Sequence, residues 1–267
     1  EFRRVLFRSQ DPAVSSLTPQ PQADLLRRRK GLEVIANFHH GVLGRTPDYV
    51  NIQVTATRQL ADLHGRTQRR FADNLIAYHQ FLAANDLCLT HTFGHPQVNR
   101  GASVGGQPDP YIPLGAVAET SEGIIVRGAK LLATLAPFSD EIFVPPYRPV
   151  RGKEEEKYAL GFSIPTATKG LSFICRESFD RGRSLYDHPL SGQYDELDAL
   201  AVFDDVLVPW DRVFCYGDWE LHNQLVELGI MWRQYQQQVT VKEIAKLEFA
   251  LGLADAVAET IGIKGIS

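Results

Sequence analysis

The chain changes its hydrophobic period twice, and this order limits the folds open to it. Apolar residues recur every three or four positions from about 22 to 86, form short runs from 87 to 218, and regain the helical period from 219 to 267. Strands without intervening helices favour an antiparallel sheet over a doubly wound one. We therefore predict an α+β multidomain chain: an N-terminal helical domain (22–86), a central antiparallel β-barrel or sandwich (87–218) and the beginning of a C-terminal helical bundle (219–267).

The helical blocks carry apolar stripes that should face a core. The first block has two predicted stripes, Leu25, Leu32, Ile35 and His39, then Phe71, Leu75, Tyr78 and Leu82. The basic run 27–30 is expected to be a solvated face, and Thr46-Pro47-Asp48 predicts a helix start with Thr46 as N-cap. The last block has a stripe at Leu225, Leu228, Trp232, Tyr235 and Val239 and another at Ile244, Leu247, Leu251, Ala254, Ala258 and Ile261. We expect the latter stripe to need further helices to cover it.

The central block alternates apolar and polar residues between turn residues. This pattern predicts strands at 111–119, 124–127, 130–134, 142–144, 158–164, 171–176 and 200–208. The charged segment 151–157 is expected to be an exposed hairpin or loop.

Both ends of the chain differ from the blocks between them. Residues 1–9 have no periodicity, and residues 10–22 are polar and rich in proline, as linkers are. We interpret residues 1–21 as an assembly remnant and linker. The chain ends directly after a helical stripe, which favours a fragment of a longer protein.

Composition argues against several classes of partner and compartment. The net charge of −4 argues against a nucleic-acid partner. No apolar run approaches the ~18–20 residues of a membrane span, and no secretory signal is recognisable. Three cysteines far apart, Cys88, Cys175 and Cys215, argue against a disulfide scaffold and favour a reducing cytoplasm.

Standard catalytic signatures do not occur in the sequence. GxGxxG, GxxxxGK[ST], HExxH and GxSxG motifs are missing, and the glycine-rich segment 101–106 is expected to be a flexible loop. His91 and His95 have i, i+4 spacing, but Gly94 and Pro96 make a helix there improbable. We therefore predict no metal site.

The predicted helix start at Thr46 is flanked by two potential ligand-binding residues. Arg45 precedes it and Tyr49 lies on its first turn, so a guanidinium and a phenol join the free N–H groups of the helix. These groups would bind an anionic oxygen. The alternative is that Arg45 pairs with a carboxylate such as Asp48 and Tyr49 packs in the core.

Five motifs of this chain resemble those of one enzyme family. They are GRTPDY (44–49), LTHTFGHPQVNR (89–100), GIIVRGAKLLAT (123–134), DHPLS (187–191) and FDDVLVPW (203–210). They are similar to motifs of the 4-hydroxyphenylacetate 3-monooxygenase oxygenase components, a family of two-component FAD-dependent phenol hydroxylases. The similarity runs from about residue 24 to the C-terminus. It implies an acyl-CoA dehydrogenase-like fold and a homotetramer.

The resemblance also implies an activity. Family members hydroxylate a phenol ortho to its hydroxyl, giving a catechol, with O₂ and FADH₂ supplied by a separate NAD(P)H-flavin reductase, by way of a flavin C4a-hydroperoxide. It implies that Arg45, Tyr49 and His91 bind the phenolic hydroxyl and serve catalysis. It implies flavin contacts from His91, Thr92, Phe93, Gln97, Val98, Asn99, Arg100 and Thr134. Asn99 stands where many relatives are expected to have Asp, and the loop 145–157 is expected to cover the substrate.

Other functions remain open at this point. Chlorophenol and nitrophenol monooxygenases are similar in kind, and 4-hydroxybutyryl-CoA dehydratase shares the fold. The dehydratase needs cysteine ligands for an iron–sulfur cluster, and Cys88 has no CxxxC companion. An inactive fragment with only a structural role is the non-enzymatic alternative.

Overall fold

Six α-helices and eight strands occur in the part of the chain that the computed structural model describes, residues 14–263 and 265. Four helices come first: α1 (Gln22–Phe38), α2 (Pro47–Arg58), α3 (Ala61–His64) and α4 (Arg69–Asn85). The strands are β1 (Leu89–His91), β2 (Gly115–Glu119), β3 (Gly123–Ala133), β4 (Glu141–Val144), β5 (Leu160–Pro165), β6 (Leu171–Cys175), β7 (Ala199–Pro209) and β8 (Val213–Tyr216). Helices α5 (Trp219–Leu228) and α6 (Ile230–Thr260) follow. The predicted order of helices, strands and helices is confirmed. Most of the expected N-terminal remnant lies outside the described residues.

The strands form two open four-stranded sheets rather than a closed barrel. Their orders are β1-β4-β5-β8 and β2-β3-β7-β6. The prediction of purely antiparallel pairing is wrong at one edge, where β1 runs parallel to β4 with Leu89 opposite Glu141. Strands β1 and β8 were not predicted, because runs of three and four residues carry little periodic signal.

Two of the predicted strands are a single strand in the structure. Strand β3 is continuous from Gly123 to Ala133 and pairs with β7, with a register shift between Val126 and Gly128. Gly128 has φ +124, and a Cβ there would lie 2.3 Å from the Pro113 carbonyl oxygen. A residue with a side chain would not fit this bulge. The expected strand from 111 begins only at Gly115.

Helix α1 contacts α6 through a buried arginine. The run 27–30 was predicted to be solvated, and this is wrong for Arg28, which is 1% exposed. Its Nε donates to Gln237 Oε1 at 2.6 Å and its Nη2 to Gln234 Oε1 at 2.8 Å. These neutral acceptors allow burial of the guanidinium, and burial lowers its pKa. In the stripe of α1, Leu32, Ile35 and His39 are buried as expected, whereas Leu25 is exposed.

A short 3₁₀ helix, Lys153–Tyr158, replaces the expected exposed loop at 151–157. Glu155 within it is 3% exposed. Its Oε1 accepts from the Gly105 N–H at 2.9 Å and its Oε2 from the Arg151 N–H at 2.7 Å. The expectation of full exposure is therefore wrong, because two backbone donors satisfy this carboxylate inside the fold.

One hydrophobic core joins the blocks that the sequence separates. It contains Tyr49 of α2, the α4 stripe residues Leu75, Tyr78 and Leu82, Phe143 of β4 and Tyr235 of α6. The distal half of α6 leaves apolar side chains exposed, among them Leu247 and Leu251, and so does Ile261 directly after the helix. No helix within 14–263 and 265 is long and apolar enough to cross a membrane.

Candidate active site

Helix α2 begins where the sequence predicts, with Thr46 at the N-cap and Pro47 at the first helical position. The Thr46 side chain does not cap the helix. Its Oγ1 instead accepts a hydrogen bond from Gln238 Nε2 of α6 at 3.1 Å. The start of α2 is thus fastened to α6, and it presents Arg45 and Tyr49 to the interior.

Arg45 lies across the face of Tyr49. Its guanidinium carbon is 4.4 Å from the centroid of the Tyr49 ring. Its Nη1 donates to the Gly44 carbonyl at 3.2 Å, and its backbone N–H donates to Glu196 Oε1 at 2.6 Å. Among the described residues, Arg45 forms no ion pair with Asp48 or another carboxylate. Of the alternative stated above, only the core packing of Tyr49, which is 1% exposed, is found.

His91 is the third predicted residue, and β1 places it beside Tyr49. The two ring centroids are 5.4 Å apart. His91 is 4% exposed, and its Nδ1 has no hydrogen-bond partner in the described part of the chain. Burial and then the charge of Arg45 lower the pKa of His91 to about 3. The imidazole is therefore neutral at neutral pH.

Six aromatic rings surround this point, and we name them the aromatic cluster: Tyr49, His91, Phe93, Tyr147, Trp232 and Tyr235. Phe93 stacks on Tyr147 with centroids 4.7 Å apart and an interplanar angle of 11°, and it contacts His91 at 4.3 Å. The ring centroid of Trp232 lies 5.2 Å from that of Tyr147 and 5.4 Å from that of Tyr235. Burial raises the pKa of both Tyr49 and Tyr235, so both phenols keep their protons.

Sequence reasoning missed three members of the aromatic cluster as site residues. Tyr147 lies in the segment expected to cover the substrate, and Trp232 and Tyr235 belong to a stripe read only as helix packing. Two aromatic rings three residues apart on one helix face were the available signal. Tyr147 and Trp232 both contact Phe93, which lies more than 50 positions earlier in the sequence, and periodicity does not reveal such contacts.

The residues expected at the flavin occupy two different environments. Thr92 is fully buried, and its hydroxyl has no partner among the described residues. Gln97, Val98, Asn99 and Arg100 are exposed on the loop that follows, where Asn99 Oδ1 accepts from the Gly101 N–H at 3.0 Å. Thr134 is buried like Thr92. Its carbonyl accepts from Thr90 Oγ1 at 2.7 Å, and its hydroxyl donates to Asp198 Oδ1 at 2.7 Å.

Two elements of the site are thus assembled by the fold. One is a cation, a phenol donor and a neutral imidazole on the start of α2 and on β1. The other is a group of aromatic rings packed around them, with Tyr49 and His91 buried and Arg45 half-buried. The chemistry of the two elements matches that of a planar phenol, because its oxygen needs hydrogen-bond partners and its ring needs apolar neighbours. In the described ranges, no group of three or more His, Cys, Asp or Glu side chains is placed to bind a metal ion.

Comparison with known proteins identifies relatives of this chain. The model of the 4-hydroxyphenylacetate 3-hydroxylase N-terminal family matches residues 8–215. The oxygenase component of 4-hydroxyphenylacetate 3-monooxygenase from Thermus thermophilus is 44% identical over 93% of this chain and 50% of its own length. A 4-nitrophenol 2-monooxygenase oxygenase component from Rhodococcus is 30% identical over 93% of this chain and 47% of its own length.

Solved structures agree with these matches. A 4-hydroxyphenylacetate 3-monooxygenase oxygenase component complexed with FAD and 4-hydroxyphenylacetate is 41% identical, with a TM-score of 0.87 over 97% of this chain and 54% of that one. A 4-hydroxybutyryl-CoA dehydratase from N. maritimus is 19% identical with a TM-score of 0.84, covering 95% of this chain and 50% of that one, a likeness of fold alone. The expected acyl-CoA dehydrogenase-like fold is confirmed. The chain spans about half the length of the relatives it matches.

Proposed function

The chain belongs to the 4-hydroxyphenylacetate 3-hydroxylase family, and from this we propose that the protein containing it hydroxylates 4-hydroxyphenylacetate, or a close phenol, to a catechol. The reaction inserts one oxygen atom of O₂ ortho to the phenolic hydroxyl and uses reduced FAD. The observation that carries the proposal is the convergence of Arg45, Tyr49 and His91, with the Tyr49 ring 4.4 Å from the Arg45 guanidinium and 5.4 Å from the His91 ring. We name these three residues the phenol end.

The phenol end would prepare the substrate for electrophilic attack. Arg45 and Tyr49 supply donors to the phenolic oxygen, and the charge of Arg45 favours negative charge on it. His91 is neutral, with a pKa lowered to about 3, so one ring nitrogen is free to accept the substrate O–H. Phenolate character raises the electron density of the ortho carbon. The geometry therefore activates the carbon that is to be oxygenated.

The aromatic cluster would exclude water from the reaction. Phe93, Tyr147 and Trp232 form one wall, with Phe93 and Trp232 centroids 5.9 Å apart. The faces of these rings form no hydrogen bonds with an incoming phenol. The donors of the phenol end therefore bind its oxygen. Exclusion of water also strengthens the electrostatic attraction between Arg45 and the bound oxygen.

The residues of the 91–100 segment fit a flavin. Thr92 has a buried hydroxyl without a partner in the described chain, and Gln97 to Arg100 expose amides and a guanidinium. We propose that FAD is held by eight residues: His91, Thr92, Phe93, Gln97, Val98, Asn99, Arg100 and Thr134. The Thr134 hydroxyl donates to Asp198, so it would accept a hydrogen bond from the flavin. Reduced FAD supplies the electrons that activate O₂.

Further partners follow from the same proposal. A separate NAD(P)H-flavin reductase supplies FADH₂. The protein is a cytoplasmic homotetramer. Its domains within this chain are the N-terminal helical domain (22–86), the central β-domain (87–218) and the start of the C-terminal helical domain (219–267). The exposed stripe of α6 supports additional helical packing, since Leu247 and Leu251 are 60% and 69% exposed.

The test supplies the protein containing this chain with chemically reduced FAD, O₂ and a phenol, and measures catechol by chromatography and peroxide by a coupled assay. We expect catechol from 4-hydroxyphenylacetate with little free peroxide. Preference for 4-nitrophenol would move the assignment to the nitrophenol enzymes. Peroxide without hydroxylated product from any phenol would contradict the proposal and favour the inactive fragment.

A further inference from the structure

A carboxylate from a distant segment binds the backbone of Arg45. Glu196 is half-buried just before β7, and its Oε1 accepts from the Arg45 N–H at 2.6 Å across 151 positions of sequence. Glu196 lies between two of the five family motifs and belongs to neither. A charged acceptor binds a backbone amide more strongly than a neutral acceptor does. Glu196 therefore anchors the residue that directly precedes the N-cap of α2.

This contact reaches the backbone of Arg45 and leaves its guanidinium available. Within the described ranges, Glu196 forms no ion pair with the Arg45 side chain. The guanidinium donates to the neutral Gly44 carbonyl at 3.2 Å and lies 4.4 Å from the centroid of the Tyr49 ring. An ion pair would offset the positive charge that a phenolic oxygen requires. Glu196 thus fixes where Arg45 lies without pairing with its charge.

The segment 195–198 also contacts the end of β3. The Glu196 carbonyl accepts from the Leu135 N–H at 2.8 Å, and Asp198 Oδ1 accepts from the Thr134 hydroxyl at 2.7 Å. Thr134 is one of the residues proposed to hold FAD. The segment therefore connects a residue of the phenol end with a residue of the proposed flavin site.

Ion pairs hold the segment 195–198 in place. Arg176 pairs with both Asp195 and Asp198, and its N–H donates to the Asp198 carbonyl at 2.9 Å. Leu197, between these carboxylates, has φ +42, a left-handed conformation that leucine rarely adopts. Such a backbone persists only where its surroundings determine it. The segment is therefore a fixed support from which Glu196 reaches Arg45.

We propose that Glu196 is a positioning residue of the phenol end, whose carboxylate holds the Arg45 backbone so that the guanidinium meets the phenolic oxygen. This inference rests on the proposed phenol hydroxylation and adds a residue that acts through Arg45. Loss of the carboxylate frees the Arg45 N–H and loosens the residue over the Tyr49 ring. Binding of the phenolic oxygen should then weaken, whereas binding of the aromatic ring should not.

The experiment compares two ligands that differ only in the phenolic hydroxyl. Dissociation constants of 4-hydroxyphenylacetate and phenylacetate are measured by titration calorimetry with the protein containing this chain. Glu196→Ala should bind 4-hydroxyphenylacetate about tenfold more weakly than wild type and phenylacetate within about twofold. Equal losses for both ligands, or no loss for either, would overturn the inference while catechol formation by wild type still supported the proposed function. If wild type neither bound nor hydroxylated a phenol, both would fail.

A double-mutant cycle tests whether Glu196 acts through Arg45. In an Arg45→Met background no guanidinium remains to be placed, so Glu196→Ala should change the affinity for 4-hydroxyphenylacetate less than about twofold. The same tenfold loss in both backgrounds would show that Glu196 acts independently of Arg45, and the inference would be wrong.

Hydrogen exchange reports the contact without any ligand. The Arg45 amide should exchange about tenfold faster in Glu196→Ala, whereas the Leu135 amide, which donates to the Glu196 backbone, should stay protected. Glu196→Gln keeps a neutral acceptor and should bind 4-hydroxyphenylacetate within about threefold of wild type. If the Leu135 amide also exchanged faster in Glu196→Ala, the segment itself would have opened. The hydroxyl-selective loss must then appear in Glu196→Gln, and its absence there would overturn the inference.

Glu177→Ala is the matched control. Glu177 is exposed in the preceding loop, where its carboxylate accepts from Arg181 Nη2 at 2.8 Å. Its removal should leave both dissociation constants and the exchange of the Arg45 amide unchanged. A hydroxyl-selective loss in this variant as well would assign the effect to the charge of the loop and overturn the role of the Glu196 contact.

Discussion

The phenol end and a second region, the cleft lined by His95, Gln97, loop residues 102–107 and the segment 148–155 (the His95 cleft), place their cations differently. At the phenol end one cation, Arg45, lies against the buried rings of Tyr49 and His91. In the cleft, Arg148 faces solvent while Lys130 is buried behind it. A half-buried cation such as Arg45 acts more strongly on charge that develops beside it than an exposed cation such as Arg148, which water screens. Arg45 is thus better placed than Arg148 to stabilise charge that develops on a bound ligand.

Removing the Arg45 cation should have the largest effect. Arg45→Met leaves a buried phenolic oxygen without its charged partner, at a cost of about 2–3 kcal/mol, so kcat/KM should fall about 30- to 150-fold. The measurement is steady-state catechol formation by the protein containing this chain. Arg70→Met is the control, because Arg70 also stacks on an aromatic ring, that of Trp210 at 3.8 Å, but lies outside the site. Equal losses in both variants would contradict the role of Arg45.

The neutral state of His91 makes the phenol end sensitive to acid. Its pKa is about 3 in the folded chain and about 6.5 when exposed, because burial and Arg45 disfavour the cation. The unfolded chain therefore binds more protons between these values, so the stabilisation is complete above about pH 6.5 and is lost as the pH falls toward 3. Each pH unit costs about 1.4 kcal/mol.

His91→Gln should remove this contribution. The free energy of unfolding should fall between pH 6.5 and pH 4.5 in both proteins. The fall should be about 2 kcal/mol smaller in His91→Gln than in wild type. Urea denaturation at the two pH values measures the difference. His40→Gln, at an exposed histidine, is the control and should follow wild type. Parallel curves for all three proteins would show that His91 is not held neutral.

The hydroxyl of Tyr49 should contribute less than the charge of Arg45. Tyr49→Phe keeps the ring, which packs 4.7 Å from Tyr235, and removes one neutral hydrogen bond worth about 1 kcal/mol. We expect kcat/KM to fall about five- to tenfold with the melting temperature unchanged, and more peroxide per catechol. Tyr186→Phe, at a tyrosine that is 93% exposed, should match wild type. A lower melting temperature without a change in coupling would make Tyr49 a packing residue only.

The sequence predicts the start of α2 at the phenol end better than it predicts contacts between distant segments, because the two signals differ in range. Thr46-Pro47 sets the start of α2 through local capping geometry, so Arg45 and Tyr49 are found from neighbouring residues alone. The parallel pairing of β1 with β4, and the burial of Arg28 against two glutamines more than 200 positions away, are long-range events. The spacing of apolar residues does not indicate which distant residue accepts a hydrogen bond from a buried cation.

Glu155 gives the smallest effect and tests the other half of the comparison. Glu155→Gln keeps the shape of the side chain but replaces a carboxylate that accepts from the Gly105 and Arg151 N–H groups at 2.9 and 2.7 Å. The loop 101–107 should then open more easily by about 1 kcal/mol, since charged acceptors bind backbone amides more strongly than neutral ones. Hydrogen exchange at the Gly105 amide should accelerate about fivefold, while amides of β1 stay protected. Glu154→Gln, whose side chain is exposed on the same 3₁₀ helix, should leave the Gly105 rate unchanged. Faster exchange in β1 as well would mean that the cleft wall and the phenol end open as one unit, so that the two regions are not independent.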